Sequence, residues 1–202
     1  TLLDRRSLII PLTVENNGSL APAEQYPAKI KVTIWGDATG IGSIGASDIA
    51  AFINMSDFKN EGTYRIPIKV RLAGTVTPIG NMEISTEPSI LTLRLATNVH
   101  KQVPVSLSLR GIPADGYEVI ESSLEPDPVE IEGPAELVEK ITELVTEPLS
   151  VEARTSGFSG TAAIINNNPL ISIVGKAQVQ SMVKINETTI QKKFDNVPIY
   201  FE

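Results

Sequence analysis

Three apolar segments centred on proline recur along this chain at nearly constant spacing. They are Ile10-Pro11-Leu12, Val103-Pro104-Val105 and Val197-Pro198-Ile199, with the prolines 93 and 94 residues apart. A repeat of this length constrains the fold more than any local propensity, because one supersecondary unit has to form twice. The 202 residues leave room for two such units of about 100 residues, an ordinary domain size. The stretches between the prolines also correspond. Lys29 to Trp35 alternates polar and apolar residues and meets Gly36, and Val129 to Glu132 does the same before Gly133. Alternation of this kind predicts a half-buried strand.

After Gly133 the period changes. Leu137, Val138, Ile141, Leu144 and Val145 fall at helical spacing, with Pro134 at the first helical position, Glu136 in the first turn and Pro148 at the end. That pattern predicts a helix of about three turns. In the first copy, Gly40, Gly42 and Gly45 interrupt the matching stretch. Each glycine costs about 1 kcal/mol against alanine, so a short turn or frayed helix is expected there. A strand follows in both copies, with Ile49, Ala51, Ile53 and Met55 on one face in the first and Leu149, Val151 and Ala153 in the second. Glycine-containing turns come next, at 57–63 and 156–161, and then further β-like runs at 65–72, 89–95, 161–165, 170–174 and 179–185. Bands of turn residues, 16–27 and 111–116, open the two units.

The expected fold is therefore mostly β (α+β), two tandem, small, antiparallel β-rich repeats with one short helix each. The first repeat is placed at 1–98 and the second at 99–196, the boundary falling near 97–102 without a Gly/Ser linker. Residues 197–202 read as a closing strand or the start of a further repeat. Thr1 stands where a methionine would begin a chain, which suggests an excised fragment with any membrane anchor outside it.

Charge and composition remove several function classes. The net charge is −7 and the basic residues are scattered, the longest runs being Arg5-Arg6 and Lys192-Lys193. Nucleic acid is not an expected partner, since phosphate binding needs clustered cations. The chain has no cysteine, which excludes disulfides, thiolate catalysis and zinc ribbons. No apolar run reaches the roughly 18 residues of a membrane span.

The chemical signals each have a plainer explanation. Gly40-Ile41-Gly42-Ser43-Ile44-Gly45 matches a dinucleotide fingerprint but lacks the parallel βαβ frame, and reads as a tight turn. His100 is the only histidine and falls at the junction of the repeats, so neither a His-rich zinc site nor a serine triad can be assembled around it. Glu125, Asp127, Glu130 and Glu132 are interrupted by Pro126 and Pro128, and the last two alternate with apolar residues as a solvated strand face does. They lack the spacing of a calcium loop. Gly157-Phe158-Ser159-Gly160 is a turn, not a nucleophile elbow. Trp35, the only tryptophan, is expected to pack at the edge of the first unit, and Asn54 and Asn186 begin glycosylation sequons. No catalytic, cofactor or metal residue is assigned.

The order of these segments resembles the YbbR-like family. The resemblance is carried by Val129-Glu-Ile-Glu-Gly-Pro134, Glu147-Pro-Leu-Ser-Val151, Val103-Pro-Val105 and Ile49-Ala-Ala-Phe-Ile-Asn-Met-Ser56. It implies a non-enzymatic, extracytoplasmic interaction module, held at the membrane by an N-terminal helix and modulating a membrane-bound diadenylate cyclase, which makes cyclic di-AMP. The alternatives are a structural spacer and a cell-wall or carbohydrate-binding module.

Overall fold

The computed structural model describes residues 2–15, 18–74, 76 and 80–189. Asn16, Asn17, Lys192-Lys193, the Val197-Pro198-Ile199 segment and the strand expected at 197–202 lie outside the described residues.

The alternating stretch before Gly36 forms the strand Lys29–Asp37, with Ile30, Val32 and Ile34 buried. It pairs antiparallel with Leu3–Glu15 on one edge and with Glu83–Glu87 on the other. Past Pro11 the strand Leu3–Glu15 changes partner, because proline offers no N–H to the ladder. Its end, Leu12 to Glu15, runs parallel to Ile49–Asn54, which in turn holds Lys69–Leu72 antiparallel. A separate ladder closes the copy. The long strand Ile90–Val103 takes Gly62–Pro67 on one edge and Leu20–Pro22 on the other.

The same pairing diagram returns further along. Ile90–Val103 is hydrogen-bonded to Val129–Pro134, whose other edge holds Ser172–Ile173. Past Pro104, Val105–Ser106 runs parallel to Leu144–Val145, and Leu109–Arg110 runs parallel to Leu149–Ser150. The closing strand is Gln178–Glu187, flanked by Phe158–Ala163 and Tyr117–Glu125. Among the described residues the architecture is mostly β with two four-residue helices, Ala38–Ile41 and Ala135–Val138.

Spatially the chain divides into two compact units that do not follow the sequence period. One comprises Thr1–Lys101 together with Glu130–Ile141 and Asn167–Ile173; the other comprises Gln102–Val129, Thr142–Asn166 and Val174–Glu202. The core of the first contains Ile10, Ile34, Ile53, Ile66, Leu93 and Leu95. That of the second is built on Val151, Val183 and Ile185, with Leu107, Tyr117 and Phe158 against them.

Local geometry departs from the sequence pattern at several places. Residues 97–102, read as a boundary, lie inside the unbroken strand Ile90–Val103. The second helix ends after Val138, not near Val145. Its last turn tightens through Lys140 N–H to Leu137 C=O and Ile141 N–H to Val138 C=O bonds. Leu144 then donates its N–H to Pro104 C=O and enters a strand, so the apolar spacing that mimicked a helix serves a sheet. Pro134 is the N-cap residue, in extended conformation, and not the first helical residue. Ala153 does not continue the face of Leu149 and Val151, because its φ of 53° turns the chain out of the strand. In the first copy the glycine-rich stretch forms one helical turn, whose N-cap Asp37 accepts the N–H of Thr39. A 3-10 turn at Ala46–Asp48 follows.

Candidate interaction surface

The densest set of charged contacts among the described residues lies along the strand Ile90–Val103, within the first unit. Side chains alternate along this strand, so Leu91, Leu93 and Leu95 go into the core. Arg94 falls on the opposite face. Its guanidinium donates to Glu136 Oε1 at 2.6 Å and to Ala23 C=O at 3.1 Å, while its backbone N–H donates to Glu24 Oε1 at 2.8 Å. Three residues on, both the N–H and the hydroxyl of Thr97 donate to Glu61 Oε1, at 2.8 and 2.6 Å. Those bonds from Thr97 hold the Glu61 carboxyl below its ordinary value. The hydrogen bond from Arg94 does the same for Glu136, and reciprocally raises Arg94. An open groove of about 490 Å³ lies here, lined by Glu61, Thr63, Arg94, Ala135, Glu136 and Glu139.

His100 sits further along the same strand. Its Nδ1 is 2.6 Å from Glu130 Oε1 and its Nε2 is 3.4 Å from Glu132 Oε2. The strand Val129–Pro134 places both acids beside it because Glu130 and Glu132 are two apart and share one face. Lys101 donates from Nζ to the C=O groups of Glu139 and Ile141. Those groups end the turn after Ala135–Val138, where a cation satisfies otherwise unpaired carbonyls.

Of the four acids singled out in the sequence, Glu130 and Glu132 thus meet His100. Asp127 instead accepts the N–H of Val105 at 3.0 Å, and Glu125 ends the strand Tyr117–Glu125. Among the described residues no group of three or more His, Asp or Glu side chains is arranged to hold a metal ion. Of the glycines of 40–45, Gly40 lies within the first helix, Gly42 caps its C-terminus and Gly45 opens the 3-10 turn, where its N–H donates to Asp48 Oδ2. Trp35 lies on the exposed face of its strand with the Arg5 guanidinium 5.3 Å from its ring centroid. Ser159 is in the strand Phe158–Ala163 and not in a turn, Asn186 is in the strand Gln178–Glu187, and Asn54 accepts the N–H of Ser56.

Sequence reasoning missed the Arg94, Thr97 and Glu61 set. Only strand register brings them together, Glu61 standing 36 residues from Thr97. The available signal was the alternation of Arg94 with Leu93 and Leu95, which marks an outward residue without naming its partner.

A family model described as YbbR-like protein matches residues 103–186. Over those residues the chain is similar to the YbbR-like family. A YbbR-like domain-containing protein of Borreliella burgdorferi is 26% identical over 175 residues, covering 85% of this chain and 50% of that protein. The chain therefore spans about half the length of this curated relative. A crystal structure of a YbbR-like protein from Streptococcus pneumoniae superposes with a TM-score of 0.59 at 13% identity, covering 93% of this chain and 98% of that one. That match establishes a shared fold over nearly the whole chain. A solution structure from Streptococcus thermophilus has a TM-score of 0.40 at 22% identity and covers 49% of this chain and 95% of that one. Within the YbbR-like frame, the motif Val129-Glu-Ile-Glu-Gly-Pro134 is the strand and turn that carry Glu130, Glu132 and the helix bearing Glu136.

Proposed function

We propose that this chain is a non-enzymatic interaction and regulatory module, extracytoplasmic and tethered to the cell membrane by a helix outside these residues, that modulates a membrane-bound diadenylate cyclase. The observation that carries the proposal is the YbbR-like match over residues 103–186. The surface agrees with a role in contact rather than chemistry. Arg94, Thr97 and Lys101 spend their donors on groups of this chain, and His100 lies between two carboxylates. Among the described residues no helix is long and apolar enough to cross a membrane.

The deciding experiment measures diadenylate cyclase activity in membranes holding the cognate cyclase, with and without the parent of this chain. The expected result is a change in cyclic di-AMP production that disappears when residues 1–202 are deleted. Unchanged production, with the parent inserted at equal abundance, would remove the regulatory role. A second reading, a spacer that holds another domain or the cell wall at a distance, is favoured by the way the pairing diagram chains. The strand that closes one set of ladders, Ile90–Val103, also opens the next.

A further inference from the structure

Within the first unit, the sheet that carries Arg94 and His100 borders a second recess, of about 300 Å³. Adjacent strands there run in the order Ser172–Ile173, Val129–Pro134, Ile90–Val103 and Leu20–Pro22. Each lends a residue to the lining: Ser172, Glu132, Asn98 and Pro22. Glu132 stands opposite Ser172 in the antiparallel register, so the two share a face. Asn98 lies two residues before His100, whose Nε2 is 3.4 Å from Glu132 Oε2, and alternation puts Asn98 on that face as well. Tyr26 and Thr13 are the other polar residues of the lining.

These side chains differ from the Arg94 set in being unspent. Among the described residues no protein group hydrogen-bonds to the Tyr26 hydroxyl, the Asn98 amide or the Ser172 hydroxyl. Tyr26 and Asn98 are half-buried, yet none of these polar atoms is sealed from solvent, so a solute can reach them. Burial raises the Tyr26 hydroxyl above the ordinary tyrosine value, which keeps the phenol protonated and able to donate. No lysine or arginine lines the recess, so an anion would meet no counter-charge there. The one lining carboxylate, Glu132, already faces His100, so a cation would find no free partner. The unspent groups are two hydroxyls and an amide, which both donate and accept. A ligand hydroxyl matches them because it does the same. The volume is at the lower end of the range for small-molecule sites, enough for about one sugar ring.

We infer that this recess, built on Tyr26, Asn98, Glu132 and Ser172, binds a neutral polyhydroxylated ligand of the size of one pyranose. The Asn98 amide takes two neighbouring ligand hydroxyls, one as donor and one as acceptor. Tyr26 donates to another, and Glu132 accepts from one. Such binding is independent of any effect on a cyclase.

NMR titration of the 202-residue chain with glucose, galactose, mannose, N-acetylglucosamine and myo-inositol tests it. At least one of these should bind saturably and shift the signals of Tyr26, Asn98 and Ser172. Asn98→Ala and Tyr26→Phe should each weaken that binding by about fivefold, as expected for one lost hydrogen bond. Met182→Ala, in the other unit, should leave it unchanged. Tyr26→Phe keeps the ring that packs on the core, so its effect reads the hydroxyl alone. Saturable binding by none of the five, shifts centred away from the recess, or binding indifferent to both substitutions would overturn the inference. Tighter binding of choline or of glucose 6-phosphate would overturn it too, since the site would then select charge.

Discussion

Gly133→Ala should weaken the first unit more than its size suggests. A β-carbon at Gly133 would stand 2.8 Å from the backbone oxygen of Leu170, and 3.4 Å from both Ile171 Cγ1 and Val138 Cγ2. The nearest atom is main chain at the Asn168–Ile171 turn, where Ile171 N–H bonds to Asn168 C=O, so it cannot rotate aside. Forcing a methyl into such a place costs about 1–3 kcal/mol. The equivalent glycine, Gly36, meets Ile41 Cγ2 at 2.9 Å and Asn81 C=O at 3.1 Å, a side-chain methyl first and main chain second. Gly36→Ala should therefore cost less. Gly74 is the control, since a β-carbon there meets nothing within 4 Å. Urea unfolding followed by Trp35 emission reports the unit that contains both glycines. With a slope of roughly 1–3 kcal/mol/M, a loss of about 2 kcal/mol moves the midpoint down by about 1 M at unchanged slope. A Gly133→Ala midpoint equal to that of Gly74→Ala would refute the packing argument.

Three further outcomes are expected. Ile131→Ala, at a fully buried site, should lower stability by about 2–5 kcal/mol, whereas Ile120→Ala, at a residue 50% exposed, should stay within about 0.5 kcal/mol; denaturant midpoints followed by far-UV circular dichroism, which reports both units, compare the two. Thr146→Val should cost about 1–3 kcal/mol in the same assay, because the buried Thr146 hydroxyl accepts the Ser108 N–H and valine leaves that donor unpaired. The carboxyls of Glu61 and Glu136 are held low by Thr97 and Arg94, so their stabilising effect is present above the ordinary carboxylate range and lost as pH falls through their folded values. Stability measured against pH on the acid side should fall less steeply in Glu61→Gln and Glu136→Gln, and an unchanged acid slope in both would dismiss these contacts as a source of acid sensitivity.

Much of the strand plan was legible, and the reason is visible in particular residues. Ile49, Ala51, Ile53 and Met55 alternate in sequence and are all buried, because alternation and the pleat have the same period. Gly36 and Gly133 were legible as punctuation. Their cause was not, since it lies in the carbonyls of Asn81 and Leu170, which only the fold brings near. The length of the second helix was misread because Leu144 is apolar for a different reason. It is buried in the parallel ladder with Val105, and a spacing rule cannot separate that from a helical face. The Arg94 set was invisible for a related reason. Its members come from the strand Ile90–Val103, the turn before Gly62 and the helix Ala135–Val138, and register alone aligns them.

The offset between sequence period and spatial unit follows from one strand. Ile90–Val103 is fourteen residues long, well above the usual five or six. Its first half closes the ladder with Gly62–Pro67 and Leu20–Pro22, and its second half carries His100 and Lys101 against the next repeat's strand and helix. A shorter strand would end at the repeat boundary and leave each copy to cover its own edge. The long one pairs with the following copy, so Glu130–Ile141 belongs in space with the first unit and in sequence with the second repeat.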